Sequence, residues 1–475
     1  MRASRPLIFS AKKPSLMLGA ASGKQYLLII LLGILTGVSL FLMGFKLFIL
    51  AAICVSLMVV FVIEPWIGLM ALIFVIPLER FLVFPEYSFL SPMKLLVIAV
   101  FASWIVHMGI YGMAKPVKSS QNIILMSFAV LCLLPLFFMI DISAFLGSYS
   151  RLIMLIGLFF MITNIIKTKR RLEITLWVVV ISVFVGSLIG VVQSLTGYYL
   201  GYVSAEISYI YGAREIGGLF SPNTFALAIA ASLPILIYFL LNNSSKGRSL
   251  LARRIALFVI LFINVAAIFF SKSRSGFIGI CIVAFLALFG YRGWLYQHKR
   301  LTSLMVLSII LVFLLFVPAS YINRVLSLKQ LANFRNPDSI DESSLRMRVR
   351  LQEVDLKIFL EHPMLGVGLG NFGHYAVEYN MGASHAHNSY LTVAVETGIF
   401  GLLLFLLFLL NSFNYLRMMN NKNKNLSGIR IALKISLIII CISLLYDFTF
   451  LFFYLWVFSA LILSLKNIET PLKNK

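Results

Sequence analysis

The chain has 475 residues, of which 61% are hydrophobic and only 12% charged, with 40 Lys and Arg against 17 Asp and Glu. A soluble domain is about half apolar and about a quarter charged, so a mean hydropathy of +0.98 leaves too little polar surface to cover a water-soluble fold. Apolar runs of spanning length recur from end to end, which indicates an all-α polytopic integral membrane protein.

In chain order, residues 1–25 carry Arg2, Arg5, Lys12, Lys13 and Lys24 ahead of the first apolar run. No small-residue cleavage site follows within signal-peptide length, so the first helix is expected to be retained. Spans are predicted at 26–44, 46–63, 66–83, 94–111, 121–140, 150–166, 173–197, 222–241, 255–270, 275–291, 301–318, 389–411, 430–446 and 448–465. The pairs 46–63/66–83 and 430–446/448–465 are tight hairpins that could instead be re-entrant, which leaves about 12–14 transmembrane helices. Cys54, Cys132, Cys281 and Cys441 all fall in apolar runs without metal-type spacing and read as packing residues.

With a cytoplasmic N-terminus, roughly two thirds of the Lys and Arg fall in or beside short inner segments, and only Glu64, Glu173 and Glu469 of the acidic residues do. The basic excess is therefore an orientation signal. No nucleic-acid motif accompanies it, so no nucleic-acid partner is expected. The organisation that follows is a cytoplasmic basic N-terminus at 1–25 and membrane helices at 26–318. A large extracytoplasmic loop containing short helices occupies 319–388, followed by C-terminal membrane helices at 389–465 and a cytoplasmic tail at 466–475. Both termini are then cytoplasmic, in a multi-pass protein of the cytoplasmic (inner) membrane.

The residues able to do chemistry collect on the outer face. Ser344–Glu361 reads as an amphipathic helix, with Met347, Leu351, Val354 and Ile358 on one face and Arg350, Glu353, Lys357 and Glu361 on the other. Arg346 and Arg350 share a side, and Arg348 sits elsewhere on the circumference, near Gln352 and Asp355. The helix is either a solvated surface helix or an anion clamp, since arginine suits forked hydrogen bonding to phosphate. Gly366, Gly368 and Gly370 then allow an irregular turn; without a preceding strand and a following helix they are no dinucleotide site. His387 and Asn388 stand at the mouth of span 389–411, and Glu396 lies about 13 Å deeper at 1.5 Å per residue. An ionisable group at that depth is costly unless paired and is a functional candidate. His385, His387, His374 and Glu378 fit no closed zinc pattern, so no metal and no cofactor are expected. Arg274, in the short turn Lys272–Gly276, reads either as a snorkelling interfacial arginine or as part of a site. Arg214, before span 222–241, reads as a loop residue or as a further cation of that site. The shared location suits a lipid diphosphate at the membrane surface.

At this point the pattern resembles the O-antigen ligase and O-antigen polymerase superfamily. The stretch His387-Asn388 followed by Gly398-x-x-Gly401 is similar to its signature. Arg348 ahead of His362-Pro363 and the glycine turn resembles the family's loop arginine. Ser273-Arg274-Ser275-Gly276 resembles a second conserved arginine, and Arg214 followed by Ser221-Pro-Asn-Thr-Phe-Ala a third, looser pattern. Leu402 stands where the ligase form usually has a small residue, which favours polymerisation. The resemblance implies metal-independent, inverting glycan transfer at the outer face. The donor would be a glycan on polyprenyl diphosphate of the undecaprenyl type, and the acceptor a hydroxyl of a glycan or glycolipid, in cell-surface polysaccharide polymerisation or ligation. It casts Arg274 and Arg348 as stabilisers of the departing diphosphate and His387 as general base, a role suited to a side chain that ordinarily titrates near pH 6.5. Arg214, Arg346 and Arg350 would add diphosphate binding, with Asn388, Glu396, Gly398 and Gly401 in support. The alternative class is a transporter or scramblase, marked by inverted repeats and interrupted helices, of which no convincing repeat is visible.

Overall fold

The computed structural model describes Gly37 and residues 55–82, 92–112, 117–198, 221–242, 248–297, 299–316, 319–333, 340, 343–381, 387–419, 424–446 and 450–469. The chain divides into two compact units, 1–59 and 60–475, and the candidate site lies wholly in the second. The predicted span 26–44, apart from Gly37, and the first half of 46–63 lie outside the described residues.

From Pro65 the helices run α1 Pro65–Val75, α2 Pro92–Tyr111, α3 Ser120–Leu131, α4 Ile142–Ile165, α5 Lys169–Thr196, α6 Pro222–Leu241, α7 Arg248–Phe270, α8 Arg274–Gly290, α9 Arg292–Gln297 and α10 Lys299–Phe316. They continue with α11 Ala319–Leu326, α12 Ser343–Glu361, α13 Phe372–Glu378, α14 Ser389–Met418, α15 Lys424–Ser443 and α16 Phe453–Glu469. No strand occurs among the described residues. By length and apolar composition 8 helices among them can cross a membrane. The fold is that of an all-α multi-pass membrane protein, as the composition requires.

Polar caps set many of the helix starts. Ser119, Asp141, Thr168, Ser221, Ser273 and Asn388 each accept a hydrogen bond from a backbone N–H of the first turn, satisfying donors that have no partner within the helix. Asp141 explains why α4 begins at Ile142, well before the predicted 150. Pro135 likewise ends α3 early, since it has no N–H to give, and Leu134–Phe137 continues the span as a 3-10 turn.

Helix α6 is buried on every side, against α5, α7, α8 and α15. Small residues make that possible. A Cβ on Gly276 or Gly279 of α8 would stand 2.7 or 2.8 Å from the methyls of Ala226 or Ala230 on α6, so the two backbones meet across small surfaces, as membrane helices do in the absence of a hydrophobic drive between them. Polar side chains join α3 to α14. Gln121 donates to the Phe408 carbonyl at 2.9 Å, and Asn411 donates to Gln121 Oε1 at 2.6 Å. Around this bundle Phe137, Ile123 and Leu314 are exposed, as a lipid-facing surface requires.

The segment after α10 forms a second, smaller core. Leu351, Val354 and Ile358 of α12 pack with Val367, Phe372, Ala376 and Val395. The predicted amphipathic helix is present, but Met347 is exposed, and Leu345, two residues earlier, is buried.

Candidate active site at the loop and membrane helices

Helix α14 is broken where the smaller core meets the bundle. Gly398 takes φ 66° and ψ −172°, a conformation essentially restricted to glycine. The break lets the glycine turn of residues 366–370 dock on it. Val367 N–H donates to the Val395 carbonyl, Gly368 N–H to Glu396 and Ile399 N–H to Pro363, at 2.9, 2.9 and 2.8 Å. A Cβ on Gly366 would sit 2.5 Å from the Glu396 backbone, and one on Gly398 would overlap the Met364 carbonyl. A Cβ on Gly401 would meet the Thr397 side chain one turn earlier in the same helix. Glu396 is thus buried beneath the turn, its carboxylate accepting from the Gly370 N–H. Asn388 caps α14 through the N–H groups of Tyr390 and Leu391.

A further tether ties the smaller core to the start of α4. Asn371 accepts from the Asp141 N–H at 2.8 Å and donates to the Asp141 carbonyl at 3.1 Å, while His374 Nε2 lies 3.0 Å from Asp141 Oδ2. The backbone N–H of Ala144, then that of Ser143 and the neighbouring His374, hold the Asp141 carboxyl below its ordinary range.

Arg274 opens α8. Ser273 donates to Asn223 on α6 at 2.7 Å and shares a hydrogen bond with Ser275 at 2.6 Å, fixing the turn. The guanidinium turns inward and is only 6% exposed, so it is not a snorkelling residue. Nη1 donates to Ser327 at 3.3 Å and Nη2 to Ser344 at 2.8 Å. Arg348 lies one turn beyond Ser344 on α12, and the two arginines line one cavity of about 690 Å³. Ser275, Gln352, Glu353 and Tyr446 supply its other polar groups, and Leu391 and Leu445 part of its apolar wall. Ile278 and Leu328 belong both to this cavity and to an apolar groove of about 430 Å³ lined by Phe277, Phe285, Val325 and Ile442.

The sequence candidates therefore separate. Arg274 and Arg348 come together. Arg346 does not line the cavity; its Nε donates to the Ile340 carbonyl at 2.8 Å. Arg350 is exposed on the far side of the helix. His387 is half-buried and directly precedes the cap of the helix that contributes Leu391. The Ser389 N–H donates to Leu444 at 2.8 Å, beside the cavity residues Leu445 and Tyr446. His387 itself is not among the residues lining the cavity. Glu396 and Gly398 form the base on which the glycine turn sits, whereas Gly401 faces Leu131 of α3. Arg214 and His385 lie outside the described residues.

Asp355 was visible in the sequence only as a neighbour of Arg348. It is fully buried, and both carboxylate oxygens lack a hydrogen-bond partner among the described residues. Burial pushes its pKa up to about 8, and it interacts electrostatically with Glu396. The available signal was a lone acid spaced with Leu351 and Ile358 on the apolar face. Ser327, Ser344, Asn371 and Asp141 carried no such signal, because their partners are distant in sequence.

The site is thus an arginine-lined cavity between the loop and a bundle of apolar membrane helices. Residues 257–406, from α7 into α14, match the family model described as O-antigen ligase, a stretch that contains Arg274, Arg348, His387, Gly398 and Gly401. That match supports the resemblance of the chain's motifs to the O-antigen ligase and polymerase superfamily and, at a general level, glycan transfer of that type. No curated protein matches the chain.

Proposed function

We propose that the protein transfers a glycan from a polyprenyl diphosphate to an acceptor hydroxyl at the extracytoplasmic face of the cytoplasmic membrane. The observation that supports this reading is the pairing of Arg274 and Arg348 in one cavity that continues into an apolar groove. A diphosphate and a prenyl chain need those two environments side by side.

In the reaction the acceptor oxygen attacks the anomeric carbon as the bond from that carbon to the diphosphate oxygen breaks. Negative charge grows on the leaving diphosphate, and fixed guanidinium groups stabilise it where it develops. A diphosphate so stabilised leaves without a general acid, and the arginines take the place of a metal ion. His387 takes the acceptor proton. One displacement inverts the anomeric centre. The repeat-unit acceptor of a polymerase and the glycolipid acceptor of a ligase are both compatible with this chemistry; Leu402 favours the first.

The test compares surface polysaccharide on a gel from a strain lacking the gene, complemented with the wild type or with His387→Ala at equal membrane level. Long glycans with the wild type and single repeats with the variant support His387-dependent polymerisation. Long chains left on their carrier support ligation. Full complementation by His387→Ala overturns the assignment of the base.

A further inference from the structure

A second charged cavity, of about 420 Å³, lies at the other end of the bundle. Helix α6 spans the distance between the two. Its Asn223 accepts from Ser273 beside Arg274, and its Tyr238 donates to Glu173, near the start of α5; the two positions are about 22 Å apart along the helix at 1.5 Å per residue. Arg171, also in the first turns of α5, lines this second cavity. It is therefore separate from the arginine-lined site.

Its wall combines Trp66, Trp104 and Met108 with Glu64, Lys167 and Arg171. Most of the polar groups are already engaged. Arg171 Nη2 lies 3.7 Å from Glu64, its Nη1 donates to the Ile165 carbonyl at 3.3 Å, and its guanidinium stands over the Trp66 ring at 5.6 Å. His107 Nδ1 donates to the Val62 carbonyl at 2.8 Å, and Asn164 accepts from the Val117 N–H at 2.9 Å. Two donors are left. Lys167 is exposed and makes no ion pair among the described residues. The Trp66 indole Nε1 is buried and has no hydrogen-bond partner there either.

The cavity is thus amphiphilic and carries one uncompensated positive charge. On α2, Ile105, Val106 and Ile110, interleaved with its lining residues Trp104 and Met108, are exposed as a lipid-facing surface. A soluble anion would use the cations but not the tryptophans; a phospholipid with one anionic phosphate diester would use both. We propose that this cavity binds the headgroup of an anionic phospholipid. The phosphate sits between Lys167, Arg171 and the Trp66 N–H, and the acyl chains follow the apolar face of α2. Basic pockets between membrane helices recognise headgroups by this combination of charge and apolar contact. In the topology proposed above the leaflet is the cytoplasmic one, and the site does not depend on the glycan-transfer reading.

The test uses the full-length protein in phosphatidylcholine bilayers doped with phosphatidylglycerol whose acyl chains are brominated, which quench nearby tryptophans. Brominated phosphatidylglycerol should quench more per mole than brominated phosphatidylcholine, and replacing Trp66 and Trp104 by Phe should abolish the excess. Lys167→Gln, at an exposed side chain that makes no ion pair among the described residues, should lower the apparent affinity about fivefold without changing glycan transfer. Arg171→Gln tests the second cation, and if it does not fold, Lys167→Gln decides. Equal quenching by the two lipids in the wild type overturns the proposal, as does undiminished excess in Lys167→Gln. Loss of the excess on adding inorganic phosphate identifies a free-anion site instead and overturns it equally.

Discussion

Asp355 makes the stability of the smaller core depend on pH in an unusual direction. Its carboxyl is fully buried without a hydrogen-bond partner among the described residues, and its pKa is raised from 3.8 to about 8. Below pH 3.8 the acid is protonated in the folded and unfolded chains alike and imposes no difference. As pH rises between 3.8 and 8 the unfolded chain releases the proton while the folded chain keeps it, so stability falls by about 1.4 kcal/mol per pH unit. Above 8 the loss levels off. Between pH 5 and 7.5 it amounts to about 3 kcal/mol. Asp355→Asn keeps the shape and cannot ionise, so its stability relative to the wild type should improve by that amount over the same interval. The assay is thermal unfolding of both proteins in one detergent, followed by tryptophan fluorescence at pH 5 and 7.5. The difference in Tm between variant and wild type should move by roughly 5 °C in the variant's favour. A difference that stays constant with pH would show that Asp355 ionises equally in both states and that its burial is not maintained. Any cost of the Asn amide itself is the same at both pH values and cancels.

Truncating Arg348 to Ala should lower glycan transfer by about 10²–10³-fold, the range for removing one preorganised charge-stabilising donor, with most of the effect in kcat. Arg350→Ala, at an exposed position outside the cavity, should stay near wild type in the same assay; equal losses for the two would refute the division of the helix into a cavity face and an outer face. Gly398→Ala should cost more than about 3 kcal/mol, because a Cβ both opposes the φ of 66° and overlaps the Met364 carbonyl. Gly197→Ala, at φ 69° with open space around it, should cost only about 1 kcal/mol; the yield of monodisperse protein and its Tm would rank them.

The membrane helices were legible because apolar composition and polar punctuation are both local. Span 222–241 coincides with α6, and 275–291 differs from α8 by one residue at each end. The start of α4 was missed because Ser143, Gly147 and Ser148 dilute hydropathy just where the Asp141 cap begins the helix. The break in α14 was invisible because Gly398 lies inside a predicted span, and only the loop docking on it makes the bend necessary. On α12 the period was read correctly over Leu351, Val354 and Ile358, but Met347, assigned to the same face, is exposed at the start of the helix. The meeting of Arg274 with Arg348 is a long-range consequence of the loop's tethers, and no pattern of spacing encodes it. Motif resemblance alone pointed there.

Those tethers explain how the loop can hold a reactive geometry over a fluid membrane. The glycine turn is hydrogen-bonded to the broken segment of α14, Asn371 and His374 grip Asp141 at the start of α4, and Arg274 reaches Ser327 and Ser344 from α8. The anchors sit on three different membrane helices, so α12 is constrained in more than one direction. Backbone hydrogen bonds supply the anchor at α14, and these are insensitive to side-chain rotamers. The signature glycines therefore act on position: without Gly398 the turn cannot dock, and without the turn α12 loses the backbone anchor that helps set Arg348 on the same wall as Arg274. Arg274 has two roles in this arrangement, as cation and as tether, whereas Arg348 sits on the element being positioned. For that reason Arg348 separates charge from architecture more cleanly than the arginine that the membrane helix holds.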